Sequence, residues 1–198
     1  PYLGIAERLG SFFSGLVSEL PDEIEVKVAG EIGGYDTKIL ILSTLRGILD
    51  KSCDGPVTFV NAFQRAEELG IVVNDSSARD AGEFRNLIEV RGGSHAVAGT
   101  LVRSANEPRI VMIDDHSVEV PLANHILVIR NDDLPGMIGT VGTILGKADV
   151  NISFMGLGRD GAGDHALMAL ASDHSIAEET LETLRSENGI QSASVVEL

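Results

Sequence analysis

The sequence has few of the residue types and segments that define several common classes of protein. It contains a single cysteine among 198 residues, which excludes an internal disulfide and suits a reducing cytoplasm. No apolar run approaches the length that spans a bilayer, so we expect no membrane partner. Basic residues are also scarce, because 15 Lys and Arg face 30 Asp and Glu. The resulting formal net charge of −15 argues against nucleic acid or an anionic membrane surface as a partner.

The residue patterns of common catalytic and metal sites are missing as well. The five histidines occur in separate segments without metal-binding spacing: His95, His116, His125, His165 and His174. No serine stands in a Gly-x-Ser-x-Gly turn, and Cys53 has no paired cysteine or evident activating base. The run Asp114 to His116 is explained by a turn after a strand. We therefore expect no catalytic residue, no metal and no cofactor in this chain.

The apolar fraction of 43% is enough for one large or two small cores, and the most informative stretch is Ile126 to Ile152. It opens with the apolar run Ile126 to Ile129 and breaks at Asp133-Leu134-Pro135-Gly136. Apolar residues then recur with helical spacing from Met137 to Leu145, and alternation resumes after Asp149. This pattern predicts a strand, a tight loop, a helix and a second strand.

The loop before the predicted helix has the features of a site for a free amino acid. Unpaired N–H groups at a helix N-terminus favour a carboxylate, and the acids Asp132 and Asp133 favour an ammonium group. An alternative interpretation is that Asp133 only caps the helix or holds the turn.

The remaining pattern completes a second domain over 124–198. A strand from His165 to Ala171, a helix opened by a Ser175-x-x-Glu178 capping box, and a last strand from Ile190 to Val196 give the order βαββαβ. The unbroken apolar run at Ile126 to Ile129 predicts a sheet covered on both faces, one by the two helices and the other by a partner. This favours an oligomer.

The first domain, 1–122, is predicted to be α+β, with its helices early and an antiparallel sheet late. Helices are expected at Tyr2 to Leu20, from Asp36 or Thr37 to Leu49, and at Thr58 to Leu69. The last of these should bury Val60, Phe63 and Ala66. From Glu83 to Leu122 the apolar period is two, which indicates successive strands, and Pro121 to Asn124 forms the expected junction.

Two resemblances follow from these residues. The strand, Asp-x-Pro-Gly loop, helix and Val150-Asn151-Ile152 sequence resembles an ACT domain, a ligand-sensing module with the ferredoxin-like βαββαβ fold. The segments Ala6 to Gly10, Glu68 to Ile71 and Val97 to Leu101 resemble the intervening, or allosteric substrate-binding, domain of long-form D-3-phosphoglycerate dehydrogenases.

The resemblance implies the regulatory region of an enzyme of L-serine biosynthesis. Such enzymes use NAD and are inhibited by L-serine, so L-serine is the expected effector and a homo-oligomer, dimer or tetramer, the expected assembly. No nucleotide-binding βαβ unit is predicted, and the chain starts at Pro1 without a signal-like segment. We therefore expect a catalytic, NAD-binding part upstream.

The family's effector site transfers to particular residues of this sequence. Asp133 matches the position that contacts the effector's amino group, and Asn131 matches a polar contact that is often aromatic or histidine in the family. Asn151 is expected to reach the ligand across a dimer interface. Backbone groups of Leu134, Gly136 and Met137 are expected to meet the carboxylate.

The family's intervening domain can also bind anions through basic residues. The candidate set here is Arg103, Arg109 and His116, with solvated strand residues as the competing interpretation. The acidic run after Ile113 favours the latter.

Two other functions remain open at this stage. The ACT unit can serve oligomerisation without a ligand, or the chain can be the regulatory half of an iron–sulfur L-serine dehydratase.

Overall fold

The computed structural model describes residues 2–102, 105–159 and 165–198 and divides the chain into two compact units, Pro1–Asp114 and Asp115–Leu198. The predicted junction lies several residues later, at Pro121 to Asn124. Strand β6 (His116–Pro121) belongs to the second unit, where it packs against strand β8 (Ile152–Arg159).

The first unit contains three helices and five strands among its described residues. In chain order these are α1 (Tyr2–Leu16), β1 (Glu23–Gly30), a short 3-10 turn (Glu31–Gly34), α2 (Lys38–Leu49), α3 (Ala62–Glu68), β2 (Val72–Ala78), β3 (Asn86–Gly92), β4 (His95–Val102) and β5 (Glu107–Ile113). The order confirms the predicted α+β class, with helices early and strands late.

Helices α1 and α2 pack at very close range. A Cβ atom on Gly47 would lie 1.8 Å from the Glu7 carbonyl oxygen, and one on Gly10 would lie 2.1 Å from that of Thr44. Glycine at both positions lets the two backbones touch. Behind them Leu9, Phe12 and Phe13 are fully buried and form much of this unit's core.

The sheet of the first unit runs in the order β2-β1-β3-β4-β5. Strands β3, β4 and β5 are antiparallel neighbours, as the close spacing after Glu83 predicted, and β1 pairs antiparallel with β3. The β1–β2 pair is parallel instead. Two helices separate these strands in sequence, and such a connection returns the chain to the same end of the sheet.

Helix α3 begins later than the sequence predicted. Residues Thr58 to Asn61 form a turn held by the Asn61 side chain, whose Oδ1 accepts from the Thr58 backbone N–H at 2.6 Å. Val60 therefore lies outside the helix and is 95% exposed, and Phe63 is exposed as well. The predicted burial of these two residues is wrong, whereas Ala66 is buried.

The second unit has the ferredoxin-like arrangement. After β6 it contains β7 (His125–Asp132), α4 (Met137–Lys147), β8, β9 (His165–Ser172), α5 (Glu178–Ser186) and β10 (Ile190–Glu197), with the sheet order β10-β7-β9-β8. The predicted βαββαβ fold is confirmed. Its core lies between the sheet and the two helices, centred on Leu127, Val141, Leu145, Leu170 and Leu184.

The opposite face of this sheet is also buried. Ile126 and Val128 on β7 and Leu167 and Ala169 on β9 are buried within the single chain. Strand β6 crosses this face so closely that a Cβ on Gly156 would lie 2.3 Å from the Glu119 carbonyl oxygen. The interpretation that a partner covers this face is therefore wrong, and the face gives no argument for an oligomer.

Helix α5 is not opened by the predicted capping box. Its N-cap residue is Ala177, with no side-chain cap hydrogen bond. The Ser175 hydroxyl donates instead to the Glu197 carboxylate on β10. In the described part of the chain, none of the helices is long and apolar enough to cross a bilayer.

Candidate functional site

A cavity of about 290 Å³ lies in the second unit where β7 ends and α4 begins. The loop between these elements forms one wall, and the last residues of β8 and the first of β9 form the other. Its lining residues are Asn131, Asp133, Leu134, Pro135, Gly136, Met137, Ile138, Leu157, Arg159, Ala166 and Met168.

Local backbone geometry aims the start of α4 into this cavity. The Leu134 N–H donates to the Asp132 carbonyl at 2.8 Å, which tightens the loop as it leaves the strand. Gly136 then takes a left-handed conformation, with φ 96°, and forms the helix N-cap. The first turn of a helix has N–H groups without intrahelical acceptors, so this wall offers hydrogen-bond donors and the positive end of the helix dipole.

Asp133 is held in place by an arginine from another strand. Arg159, at the end of β8, places Nε 2.8 Å from Asp133 Oδ2 and donates from Nη2 to Oδ1 at 3.4 Å. The Asp133 side chain is only 24% exposed, whereas that of Arg159 is 73% exposed. Among the described residues, no side chain forms a cap hydrogen bond at Gly136, the N-cap of α4, so the alternative that Asp133 caps the helix is wrong.

Asn131 contributes an acceptor atom that has no partner in the described structure. Its side chain is 1% exposed, and its Nδ2 donates to the Asp132 carbonyl at 2.8 Å. Its Oδ1 is buried and accepts no hydrogen bond from the described residues. An unsatisfied buried acceptor costs about 1–3 kcal/mol.

The adjacent Asp132 has a different environment. Its Oδ1 accepts from Gln191 Nε2 at 2.8 Å and lies 3.6 Å from His165 Nδ1. Asp132 is absent from the cavity lining. Only one of the two neighbouring acids therefore faces the cavity.

Asn151 lies far from the cavity in the same chain. It precedes β8, whereas the cavity is at the other end of that strand, a separation of roughly 25 Å at the usual rise per residue. Its Nδ2 donates to Asp173 Oδ2 at 2.6 Å. The structure thus brings together five of the six predicted effector-site residues and leaves Asn151 apart.

The sequence pattern missed Arg159 and Leu157 as lining residues. Strand β8 continues through Arg159, and residues 160–164 lie outside the described residues. Met155, Leu157 and Arg159 share one face of β8, opposite Leu170, Met168 and Ala166 of β9. This alternation along the sequence could have identified Leu157 and Arg159 as residues on the same face as the core.

The candidate anion-binding residues do not form one described site. Arg109 lies in the first unit and His116 in the second, while Arg103 lies outside the described residues. Arg109 is 7% exposed and donates from Nη2 to Glu107 at 2.8 Å. The interpretation of Arg109 as a solvated strand residue is therefore wrong.

Two further observations concern whether the chain can hold a metal ion or a dinucleotide. Within residues 2–102, 105–159 and 165–198, no group of three or more His, Cys, Asp or Glu side chains is arranged to hold a metal ion. The sequence from Gly156 to Gly161 has the Gly-x-Gly-x-x-Gly spacing of dinucleotide-binding turns, but its first four residues lie within β8. The next described element is strand β9, not a helix, so the phosphate-binding helix N-terminus of such turns does not follow.

The order of elements, the sheet order and the loop at the start of α4 define the second unit as an ACT domain, and residues 125–189 match the family model described as the ACT domain. Residues 1–114 match the model described as the D-3-phosphoglycerate dehydrogenase intervening domain. The chain belongs to this intervening-domain family, since the match covers more than half of it. The resemblance stated from the sequence is confirmed.

Proteins named D-3-phosphoglycerate dehydrogenase are similar along the chain. One from Synechocystis sp. is 33% identical over 100% of this chain and 36% of its own length. One from Mycobacterium leprae is 34% identical over 89% of this chain and 34% of its own length. One from Archaeoglobus fulgidus is 30% identical over 100% of this chain and 38% of its own length. The chain therefore spans about a third of the length of these curated relatives.

Proposed function

We propose that this chain is the regulatory region of a D-3-phosphoglycerate dehydrogenase and that its ACT domain binds L-serine as a feedback effector. The observation that carries this proposal is the set of groups around one cavity. Asp133 supplies a carboxylate, Asn131 supplies an unsatisfied acceptor, and the start of α4 supplies N–H donors. These groups complement the ammonium, hydroxyl and carboxylate of L-serine.

The same geometry supports selection by the hydroxyl group. An effector hydroxyl that donates to Asn131 Oδ1 would satisfy the buried acceptor, whereas alanine or glycine would leave it unpaired. The difference corresponds to about 1–3 kcal/mol, or roughly tenfold to a hundredfold in affinity. Serine should therefore bind more tightly than either smaller amino acid.

A homo-oligomer, dimer or tetramer, is part of the proposal. Strand β8 forms one edge of the described four-stranded sheet, and exposed Leu134, Ile138 and Leu157 surround the cavity. If a second copy aligns antiparallel along this edge, the start of its β8 lies near the end of the first. The partner's Asn151 would then reach the cavity that the same chain's Asn151 cannot.

The activity itself is proposed for a part of the protein outside this chain. The names of the relatives support oxidation of 3-phosphoglycerate, and we propose NAD as the oxidant and the cytoplasm as the location. Inhibition requires that L-serine bind more tightly to an inactive arrangement of the whole enzyme than to the active one.

Isothermal titration of the chain with L-serine tests the sensor. Glycine, D-serine and 3-phosphoglycerate are the comparison ligands, and Asp133→Ala is the test variant. Asp132→Ala is the matched control, because it removes a neighbouring acid that does not line the cavity. We expect saturable binding selective for L-serine, loss of at least tenfold in affinity in Asp133→Ala, and little change in Asp132→Ala.

An assembly module without a ligand is the second candidate, because the Asp133 carboxylate is already paired with Arg159. This candidate predicts a stable oligomer that releases no heat with any of the four ligands. The intervening-domain match gives no support to a serine dehydratase.

A further inference from the structure

We infer that Arg159 is a ligand-contacting residue that binds the effector's carboxylate and makes the site selective for zwitterions. The inference rests on the proposed function, because it assigns a selectivity-determining residue to that same cavity. It adds a side-chain cation to a carboxylate position that the family resemblance assigned to backbone groups alone.

The sheet register places Arg159 beside the other polar groups of the cavity. Ala166 on the central strand β9 pairs with Arg159 on one side and with Asn131 on the other. Paired residues point to the same face of a sheet, so both side chains flank the small Ala166 side chain on the helix side. Arg159 and Asn131 therefore lie on either side of one cavity floor.

The charges of the site match those of a neutral amino acid. Asp133 and Arg159 together carry no net charge, and their charged groups are in contact. A zwitterion also has adjacent opposite charges, and it can lie antiparallel to this pair with its ammonium near Asp133 and its carboxylate near Arg159. A site whose only charged group was Asp133 would also attract small cations that have no carboxylate.

The guanidinium group has enough donors to serve both carboxylates. It carries five N–H donors, and its contacts with Asp133 use Nε and Nη2. The donors of Nη1 can therefore bind the carboxylate of a ligand while the pair with Asp133 persists. The start of α4 lines the same cavity and offers a second contact to this carboxylate.

Two other roles for Arg159 predict different effects of its removal on ligand affinity. If Arg159 only occupied the ammonium position, a ligand would have to displace it, and removing its charge would strengthen binding. If it only positioned Asp133, removing it would weaken all ligands with an ammonium group by the same factor.

Titration of the whole chain with L-serine and with L-serinamide separates these roles, because serinamide keeps the ammonium and hydroxyl but has a neutral amide in place of the carboxylate. Wild type is compared with Arg159→Gln and Arg159→Lys. Arg85→Gln is the matched control, since Arg85 forms an exposed ion pair with Glu31 in the first unit, 2.8 Å between Nη2 and Oε2. Circular dichroism confirms that each variant is folded.

We expect wild type to bind L-serine at least tenfold more tightly than L-serinamide. Arg159→Gln should lose roughly tenfold or more in L-serine affinity while its affinity for serinamide changes little, so the ratio of the two affinities should fall by about the same factor. The ratio for Arg159→Lys should lie between those of wild type and Arg159→Gln. Arg85→Gln should bind both ligands as tightly as wild type does.

Two results would overturn the inference alone: an unchanged ratio in Arg159→Gln, as when both ligands are weakened equally, or tighter L-serine binding. Absence of binding in wild type would overturn the proposed function and the inference with it.

Discussion

Asp133 and Arg159 lie 26 positions apart in the sequence and meet through two contacts at the end of the ACT-domain sheet. The arginine is mostly exposed, so the pair contributes at most about 1 kcal/mol to stability. Its effect is instead on the cavity, where it balances the charge of the half-buried carboxylate.

Asn131→Leu should separate the cost of the unsatisfied acceptor from ordinary burial of an amide. The substitution loses the bond to the Asp132 carbonyl but also removes an unpaired buried oxygen, so we expect a change in unfolding free energy within about 1 kcal/mol. L-serine affinity should fall, and discrimination against alanine should disappear. Urea denaturation and titration measure the two effects.

The matched control is Asn86→Leu in the first unit. Asn86 is also buried, but its Oδ1 accepts from the Ile32 N–H at 2.9 Å and its Nδ2 donates to the Tyr2 hydroxyl at 3.0 Å. This variant should lose about 2–4 kcal/mol, because two partners are left unpaired. Equal destabilisation of both variants would show that Asn131 is satisfied.

Alanine substitutions at two glycines of the second unit should change its stability in opposite directions. Gly142 is in the middle of α4 with no neighbouring atom within 4 Å of a Cβ, so Gly142→Ala should stabilise by about 0.5–1 kcal/mol. Gly156→Ala should destabilise, because its Cβ would meet the Glu119 carbonyl oxygen at 2.3 Å. Thermal melts would contradict the described packing of β6 on β8 if both variants raised the midpoint.

Asp149→Gly should stabilise the C-terminus of α4. Asp149 has φ 58°, its N–H donates to Gly146 at 3.2 Å, and the Val150 N–H donates to Leu145 at 2.9 Å. Helix α3 ends in the same way but with glycine, Gly70, at φ 75°. Glycine has no Cβ penalty here, so we expect a gain of up to about 1 kcal/mol. Asp149→Ala is the control and should be no more stable than wild type.

The Cys53 thiol should react slowly near neutral pH. Partial burial raises its pKa, the carboxylates of Glu68 and Asp54 raise it further, and Arg65 lowers it by a smaller effect than burial. A raised pKa leaves less thiolate at a given pH, and the thiolate is the reactive form. The pH profile of alkylation by iodoacetamide should therefore have its midpoint above that of the chain unfolded in urea. Coincident midpoints would show that the folded environment does not shift the pKa.

Local patterns predicted most of the second unit. The period of two in the strands and the helical spacing from Met137 to Leu145 depend only on neighbours in the sequence. The Asp-x-Pro-Gly loop is a local signal as well, and the resemblance to ACT domains that it carries implied five residues of the candidate site. The start of α3 was placed too early because hydrogen bonds between each of Thr58 and Asn61 and the side chain of the other replaced the predicted first turn.

Partners from distant segments could not be predicted in this way. The sequence by itself determined the two-unit α+β class, the order βαββαβ, and a loop with an acid before a helix, since periodicity and turn chemistry act over a few residues. Only the tertiary structure decided that Arg159 meets Asp133, that Asn131 is buried with an oxygen that no described residue satisfies, and that Asn151 lies just before the far end of Arg159's strand. Strand register sets these distances, and register results from packing the whole sheet at once.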